Sequence, residues 1–317
     1  MAKDTLIFSV RKADIMKKKG IICYPYRLMI PALTIYTVFY IVPLLIGFIL
    51  SFTNWNIENL SFHGAFLSIK GLKFSGMYNY AAIFKDRHFI TALKNTITFA
   101  CVTTIAKILM GLLLALALNR KMKTQRYLRT VFYIPAVLSY IVVGVLFSSI
   151  LRTDGMFNSI LGIFTGGNIS YDWLGNRKTA LGCVMAVEIW KWSGYVMTVF
   201  LAGLQGISRE YYESAEIDGA TKLQTLRSIT LPLLLPSFTI NIIMCIIGGF
   251  KVFDQVFVMT NGGPGFATQV LNTMIYQAFS EGRLAKSSAM GIVLFLFISV
   301  ISVSVSTILH RKEKSIT

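Results

Sequence analysis

The residues best able to do chemistry lie inside apolar sequence. Glu188, Trp190, Lys191, Trp192 and Tyr195 fall within one run, 179–204, whose only charges are Glu188 and Lys191. Lys107 stands alone in another run, Asn241 sits in a third, and Asp254 follows just beyond that one. A charge within membrane hydrocarbon is expensive, so such groups pair or face a protein interior or a water-filled path. Glu188 and Lys191 therefore have two readings. Three residues apart on a helix, they share a face and can pair with each other. Alternatively, Trp190, Lys191, Trp192 and Tyr195 form a polar and aromatic cluster in a path. Such a mixture of rings and polar groups is the usual lining of a small-molecule pocket, and Asn241 and Asp254 would add polar contacts. Trp and Tyr also collect at membrane interfaces without any ligand. Lys107, near mid-run, is too deep for its ammonium to reach the surface fully.

Other chemistries lack their residues. There is no G-x-x-x-x-G-K-[ST] phosphate loop, no H-E-x-x-H and no G-x-S-x-G. Cys23, Cys101, Cys183 and Cys245 are widely spaced and far from His63, His88 and His310, which excludes a zinc or disulfide framework. No catalytic or metal residue is assigned, and any energy for uphill work must come from an ion gradient or another subunit.

The elements holding these residues are membrane spans. Of 317 residues, 55% are apolar and 14% charged, against about 25% charged in a soluble protein, and the mean hydropathy is +0.63. The net charge of +17 reflects basic cytoplasmic loops rather than a nucleic-acid partner. A span needs about 20 apolar residues, and six runs qualify: 28–51, 95–118, 130–151, 179–204, 228–250 and 287–309. With the N-terminus inside, the cytoplasmic segments 1–27, 119–129, 205–230 and 310–317 hold 18 Lys and Arg in 72 residues. The outer loops hold 11 in 106. Both termini are thus expected in the cytoplasm. Residues 6–10 are too short an apolar run for a cleavable signal peptide. The basic segment 1–27 reads either as an amphipathic helix on the anionic inner leaflet or as a solvated tail.

The inside loop between spans four and five is unusual. Residues 203–236 read GLQGISREYYESAEIDGATKLQTLRSITLPLLLP, with four acids against three bases. Ser208 is an N-cap candidate, and Glu210 suits the positive end of a helix beginning there. That helix should reach about Asp218, with Gly219 as its left-handed stop. A second short helix should run from Thr221 towards Ile229. Tyr212, Ala215 and Gly219 share one side, either a small, aromatic face for a partner's groove or part of an amphipathic linker on the membrane.

This loop resembles the EAA loop of permease subunits in binding-protein-dependent ABC importers, whose pattern is E-A-A, three residues, Gly, nine residues, I-x-L-P. Here it runs Glu213-Ser214-Ala215, Gly219, then Ile229-Thr230-Leu231-Pro232, with every spacing kept and Ser214 replacing the first alanine. The resemblance implies a coupling helix that enters a cleft on a cytoplasmic ATPase, with Glu213, Ser214, Ala215, Asp218, Gly219, Ile229, Leu231 and Pro232 as the coupling positions. It extends over nearly the whole chain. IPALTIYTVFYIVPLLIGFILSFTNWN, FSGMYNYAAIFKDRHFITALKNTITFA, WKWSGYVMTVFLAGLQ and FDQVFVMTNGGPGFATQVLNTMIYQAF are similar to segments of the sugar-type permeases. TNGGPG, residues 260–265, favours the carbohydrate branch of the maltose, glycerol-phosphate and multiple-sugar type.

That family implies an all-α, six-span membrane protein of the type I ABC importer permease fold. It sits as a multi-pass protein in a prokaryotic plasma (inner) membrane, with domain 28–309 between the basic segment and the 310–317 tail. It is not an enzyme and binds no cofactor, ATP and Mg being held by the partner ATPase dimer. The other implied partners are a second homologous permease, an extracytoplasmic solute-binding protein and membrane lipid. The alternatives are a permease for a non-sugar solute and an ion-coupled secondary carrier, the latter requiring internal repeats that the sequence does not display.

Overall fold

The computed structural model describes residues 29–63, 66–69, 71–120, 122–167 and 169–314. The basic segment 1–27 therefore lies outside the described residues. The chain forms two compact units, one ending at Leu50 and one beginning at Ser51.

In the first unit, helix α1 (Ile30–Leu50) is apolar on every side, and none of its described residues is buried. Such a helix suits hydrocarbon rather than water. Its turn at Thr37–Ile41 is widened to π geometry just before Pro43. The same thing happens at Leu226–Thr230, just before Pro232. Proline lacks an N–H and crowds the preceding turn, and a widened turn absorbs both defects without ending the helix.

Among the described residues the second unit is mainly helical, with an antiparallel hairpin of β1 (Leu60–His63) and β2 (Phe66–Ile69). Its helices are α2 (Tyr78–Lys85), α3 (Arg87–Leu118), α4 (Gln125–Val137), α5 (Tyr140–Ile150), α6 (Met156–Thr165) and α7 (Ala180–Gly206). There follow α8 (Arg209–Ile217), α9 (Lys222–Leu233), α10 (Leu235–Phe250), α11 (Asp254–Thr260), α12 (Leu271–Ser280) and α13 (Leu284–Lys314). The long α3 and α7 form the central pair, flanked by α10 and α4. Phe200, Met197, Val196, Ala115 and Leu234 fill the core between them. Helices in lipid gain little from apolar burial alone and pack through small residues that let backbones meet. Gly194 of α7 lies so close to α4 that a Cβ there would overlap the carbonyl oxygen of Phe132.

Among the described residues three helices are long and apolar enough to cross a membrane unbroken: α1, α3 and α13. Two expected spans are instead bent pairs, α4 with α5 at 96° and α9 with α10 at 64°. Pro135 and the extended residues Leu138 and Ser139 make the first break, and Leu234 between Pro232 and Pro236 makes the second. These pairs bring the helices apolar enough to cross a membrane to five. The expected fourth span, α7, is 27 residues long, but Glu188 and Lys191 lower its apolarity below that of the other five.

The segment 260–265 turns tightly, with left-handed Asn261, Gly262 and Gly265. The chain that follows it is pinned across the fold: the Asn95 side chain donates to the Ala267 and Gln269 carbonyls at 3.0 Å, and Thr96 Oγ1 accepts from Leu271 N at 2.9 Å. Asp86, which N-caps α3 through the His88 N–H at 2.9 Å, also binds Lys286 near the start of α13 at 2.9 Å. Partial burial raises the Asp86 carboxyl, but the Lys286 hydrogen bond and charge, with the His88 N–H, outweigh it and leave the group below its ordinary value. A lowered folded-state pKa means that this stability is present above the unfolded value of about 3.9. It is lost as pH falls through the lower folded value. Asp86→Asn should therefore lower the thermal midpoint at neutral pH and flatten its decline on acidification. A midpoint curve parallel to wild type between pH 6 and 3 would show that this bridge contributes nothing.

Candidate functional site

A cavity of about 210 Å³ opens among α3, α5, α7 and α10, lined by Lys107, Tyr140, Glu188, Trp192, Tyr195, Val196, Met244, Cys245, Ile247 and Gly248. Lys107 Nζ and Glu188 Oε1 lie 3.3 Å apart, with both side chains almost fully buried. The pairing suggested by the three-residue spacing of Glu188 and Lys191 is thus not formed: Glu188 takes its partner from the neighbouring helix. Among the described residues its second oxygen, Oε2, has no hydrogen-bond partner. A buried acceptor left open in this way is costly and ready for a donor such as a solute hydroxyl. Three rings supply the apolar side. Trp192 Nε1–H donates to the Tyr140 hydroxyl at 2.7 Å, and Tyr195 stands edge-on to Trp192 with centroids 5.6 Å apart.

The other residues expected in a path lie elsewhere. Trp190 is 40% exposed and packs edge-on against Phe147, 5.1 Å away, on a different face of α7 from Trp192. Lys191 is 1% exposed and donates to the Pro135 and Ala136 carbonyls at 3.0 and 3.3 Å, and also to that of Leu138. Asn241 is buried at the contact of α10 with α7, its amide donating to the Val196 carbonyl at 3.4 Å. Asp254 is exposed in the first turn of α11, outside the cavity lining. Trp192 and Tyr195 alone of the six expected path residues line the cavity.

The loop after α7 is built from local signals. Ser208 caps α8 by accepting from Glu210 N at 3.4 Å. The helix ends at Ile217, and Gly219 follows at φ +72°, a conformation that costs a glycine nothing. Thr221 then caps α9 in a reciprocal box with Gln224. The second helix extends past Ile229 to Leu233, carried by the widened turn ahead of Pro232. The side expected to carry Tyr212, Ala215 and Gly219 is only partly exposed. Ala215 is buried at 6% exposure, and the Tyr212 hydroxyl lies 3.4 Å from Thr230 Oγ1 of α9. Glu213, Ser214, Glu216 and Asp218 are exposed; so is Ile217, at 87%. Of the remaining loop positions, Gly219 is open while Ile229, Leu231 and Pro232 are half-buried.

Residues 107–315, from the cavity lysine to the end of α13, match the profile of the "binding-protein-dependent transport system inner membrane component" family. The chain belongs to this family. The permease is 34% identical over 280 residues to the multiple sugar-binding transport system permease protein MsmF of Streptococcus mutans, covering 88% of this chain and 92% of that one. It is 33% identical over 283 residues to the arabinooligosaccharides transport system permease protein AraP of Bacillus subtilis, covering 88% and 86%. A crystal structure of a bacterial ABC transporter involved in the import of the acidic polysaccharide alginate contains a chain of the same fold. Its TM-score is 0.79 at 23% identity, over 97% of the permease and 99% of that chain. The permease is thus a multi-pass inner-membrane protein of a transport system that depends on a binding protein.

Sequence reasoning left Tyr140, Met244 and Cys245 of the permease out of the path, and treated Glu188 only as a partner for Lys191. One signal was present. Pro135 and Ser139 interrupt an apolar run, and a residue just after a broken span stands where backbone and side chains line a cavity. Met244 and Cys245 are ordinary apolar residues, and only their side of α10 distinguishes them.

Proposed function

We propose that this permease is the transmembrane subunit of an ATP-driven sugar importer. The observation that carries the reading is the cavity in which Tyr140, Trp192 and Tyr195 stand beside the unpartnered Glu188 oxygen. That mixture of ring faces and a hydroxyl acceptor suits a carbohydrate. The sugar systems named for its relatives support the same class. The permease would form half of the path with a second homologous permease and receive solute from an extracytoplasmic binding protein. The segment α8 to α9 would enter the cleft of a cytoplasmic ATPase dimer, which binds the ATP and Mg. Exposed Glu213, Ser214 and Asp218 supply the contact, and Gly219 the turn. Partner movement at this segment would reach α10 and the cavity through α9, which runs into α10 at Leu234.

The test is uptake of a labelled panel in a strain lacking the gene, with and without the gene restored. The panel holds mono- and oligosaccharides and glycerol phosphate, with amino-acid and phosphate controls. One sugar's uptake should vanish and return with the gene, and should survive collapse of the ion gradient while ATP remains. A loss confined to an amino acid or to phosphate would remove the sugar reading. Trp192→Ala should raise the half-saturation concentration for that sugar roughly 3–10-fold, the loss of one aromatic contact. An unchanged value would take Trp192 out of the site.

A further inference from the structure

Lys191 carries a charge that no carboxylate answers directly. Among the described residues its ammonium makes no ion pair, and it donates instead to the main-chain carbonyls of Pro135, Ala136 and Leu138. Those carbonyls mark the place where α4 stops. Leu138 and Ser139 are extended, at ψ 145° and 140°, and α5 departs at 96°. Within a membrane no bulk water satisfies the carbonyls that such a break releases, and a helix C-terminus carries partial negative charge. An ammonium owns three N–H donors and no acceptor, so three carbonyls occupy it fully and leave no donor for a solute. Its Nζ also lies 4.8 Å from the Tyr140 ring centroid and 5.7 Å from that of Trp192, within cation–π range. Tyr140 is the first residue of α5 and accepts the Trp192 indole hydrogen bond.

We propose that Lys191 is a positioning residue. From α7 it caps the break between α4 and α5, and so holds the Tyr140 ring against Trp192 on the cavity wall without touching solute. The flush contact of Gly194 with Phe132 sets α7 close enough to α4 for the lysine to reach the break. This inference rests on the reading of the cavity as the solute site.

The experiment measures uptake against solute concentration by the whole transporter, comparing wild type with Lys191→Met, Lys191→Arg, Tyr140→Ala and the Lys191→Met/Tyr140→Ala double variant. Lys191→Met should reach the membrane and raise the half-saturation concentration about tenfold, while Lys191→Arg, which keeps carbonyl donors, should stay within about threefold of wild type. In the Tyr140→Ala background the methionine should add nothing, because residues acting through one another are not additive. Wild-type half-saturation in Lys191→Met, or penalties that multiply in the double variant, would overturn the proposal. If Lys191→Met fails to accumulate, Lys191→Gln carries the same cycle and the same outcomes decide. The solute is whichever one the wild type transports. A wild type that carries no sugar removes the sugar reading, and the cycle is still decided on the solute it does carry.

Discussion

Lys107→Met should destabilise the permease by about 3–5 kcal/mol, the usual cost of stranding one partner of a buried ion pair. Lys107 is 2% exposed and Glu188 3% exposed, and the ammonium is the only protein group bonded to that carboxylate among the described residues. Without it, Glu188 is left charged in a low-dielectric cavity between α3 and α7, the most extensively packed helix pair of the fold. The double variant Lys107→Met/Glu188→Leu should recover most of the loss, because replacing both members with apolar groups removes the desolvation penalty. It should still lose uptake, since the cavity no longer holds the Glu188 carboxylate. The measurement is the thermal midpoint of the purified protein for the wild type, the single variant and the double variant. A single variant as stable as wild type would mean that Glu188 finds another partner or gives up its charge at little cost, and the ion pair would have no structural weight.

Gly219→Asp should leave the permease folded in the membrane and reduce uptake to background. Gly219 is exposed, sits at φ +72°, and an added Cβ there meets nothing within 4 Å. The fold itself has room for a side chain. An aspartate tolerates the left-handed region better than most residues, so the strain is small. What changes is the surface: a second carboxylate beside Asp218 and near Glu216, at the turn between two helices, on the side the proposed ATPase cleft must cover. Like charge and added bulk at such a contact oppose docking. The companion variant Ser214→Ala keeps the contact small and uncharged and supplies the alanine of the pattern the loop resembles, so uptake should persist. The readouts are membrane abundance, ATPase subunits recovered with the purified permease, and uptake. Normal uptake by Gly219→Asp would remove this turn from the coupling contact.

Much of the segment from α8 to α9 was legible in the sequence because its signals act within four residues. The Ser208 cap, the start of the second helix at Thr221 and the left-handed Gly219 all form where the sequence indicates. Each is a bond between a side chain and a nearby backbone group, or a backbone angle that glycine alone adopts without cost. The side of α8 that faces outward was not legible. Spacing shows that Tyr212 and Ala215 share a face, but only the folded loop shows Ala215 buried and the Tyr212 hydroxyl at Thr230, with Glu213, Ser214 and Ile217 left to solvent.

By itself the sequence determined the membrane class, the apolar runs, the helix caps and turns of the loop, and the family resemblance, because composition and short-range spacing carry each of them. Only the tertiary structure decided how the buried charges are used. Glu188 has a lysine 3 residues ahead and another 81 residues behind, and it binds the distant one. Helix rotation brings Lys107 to the carboxylate, while the break at 135–139 draws Lys191 to carbonyls some 56 residues upstream. In a medium without water, each charge goes to the group that most lacks a partner. Which group that is depends on how the helices bend and meet.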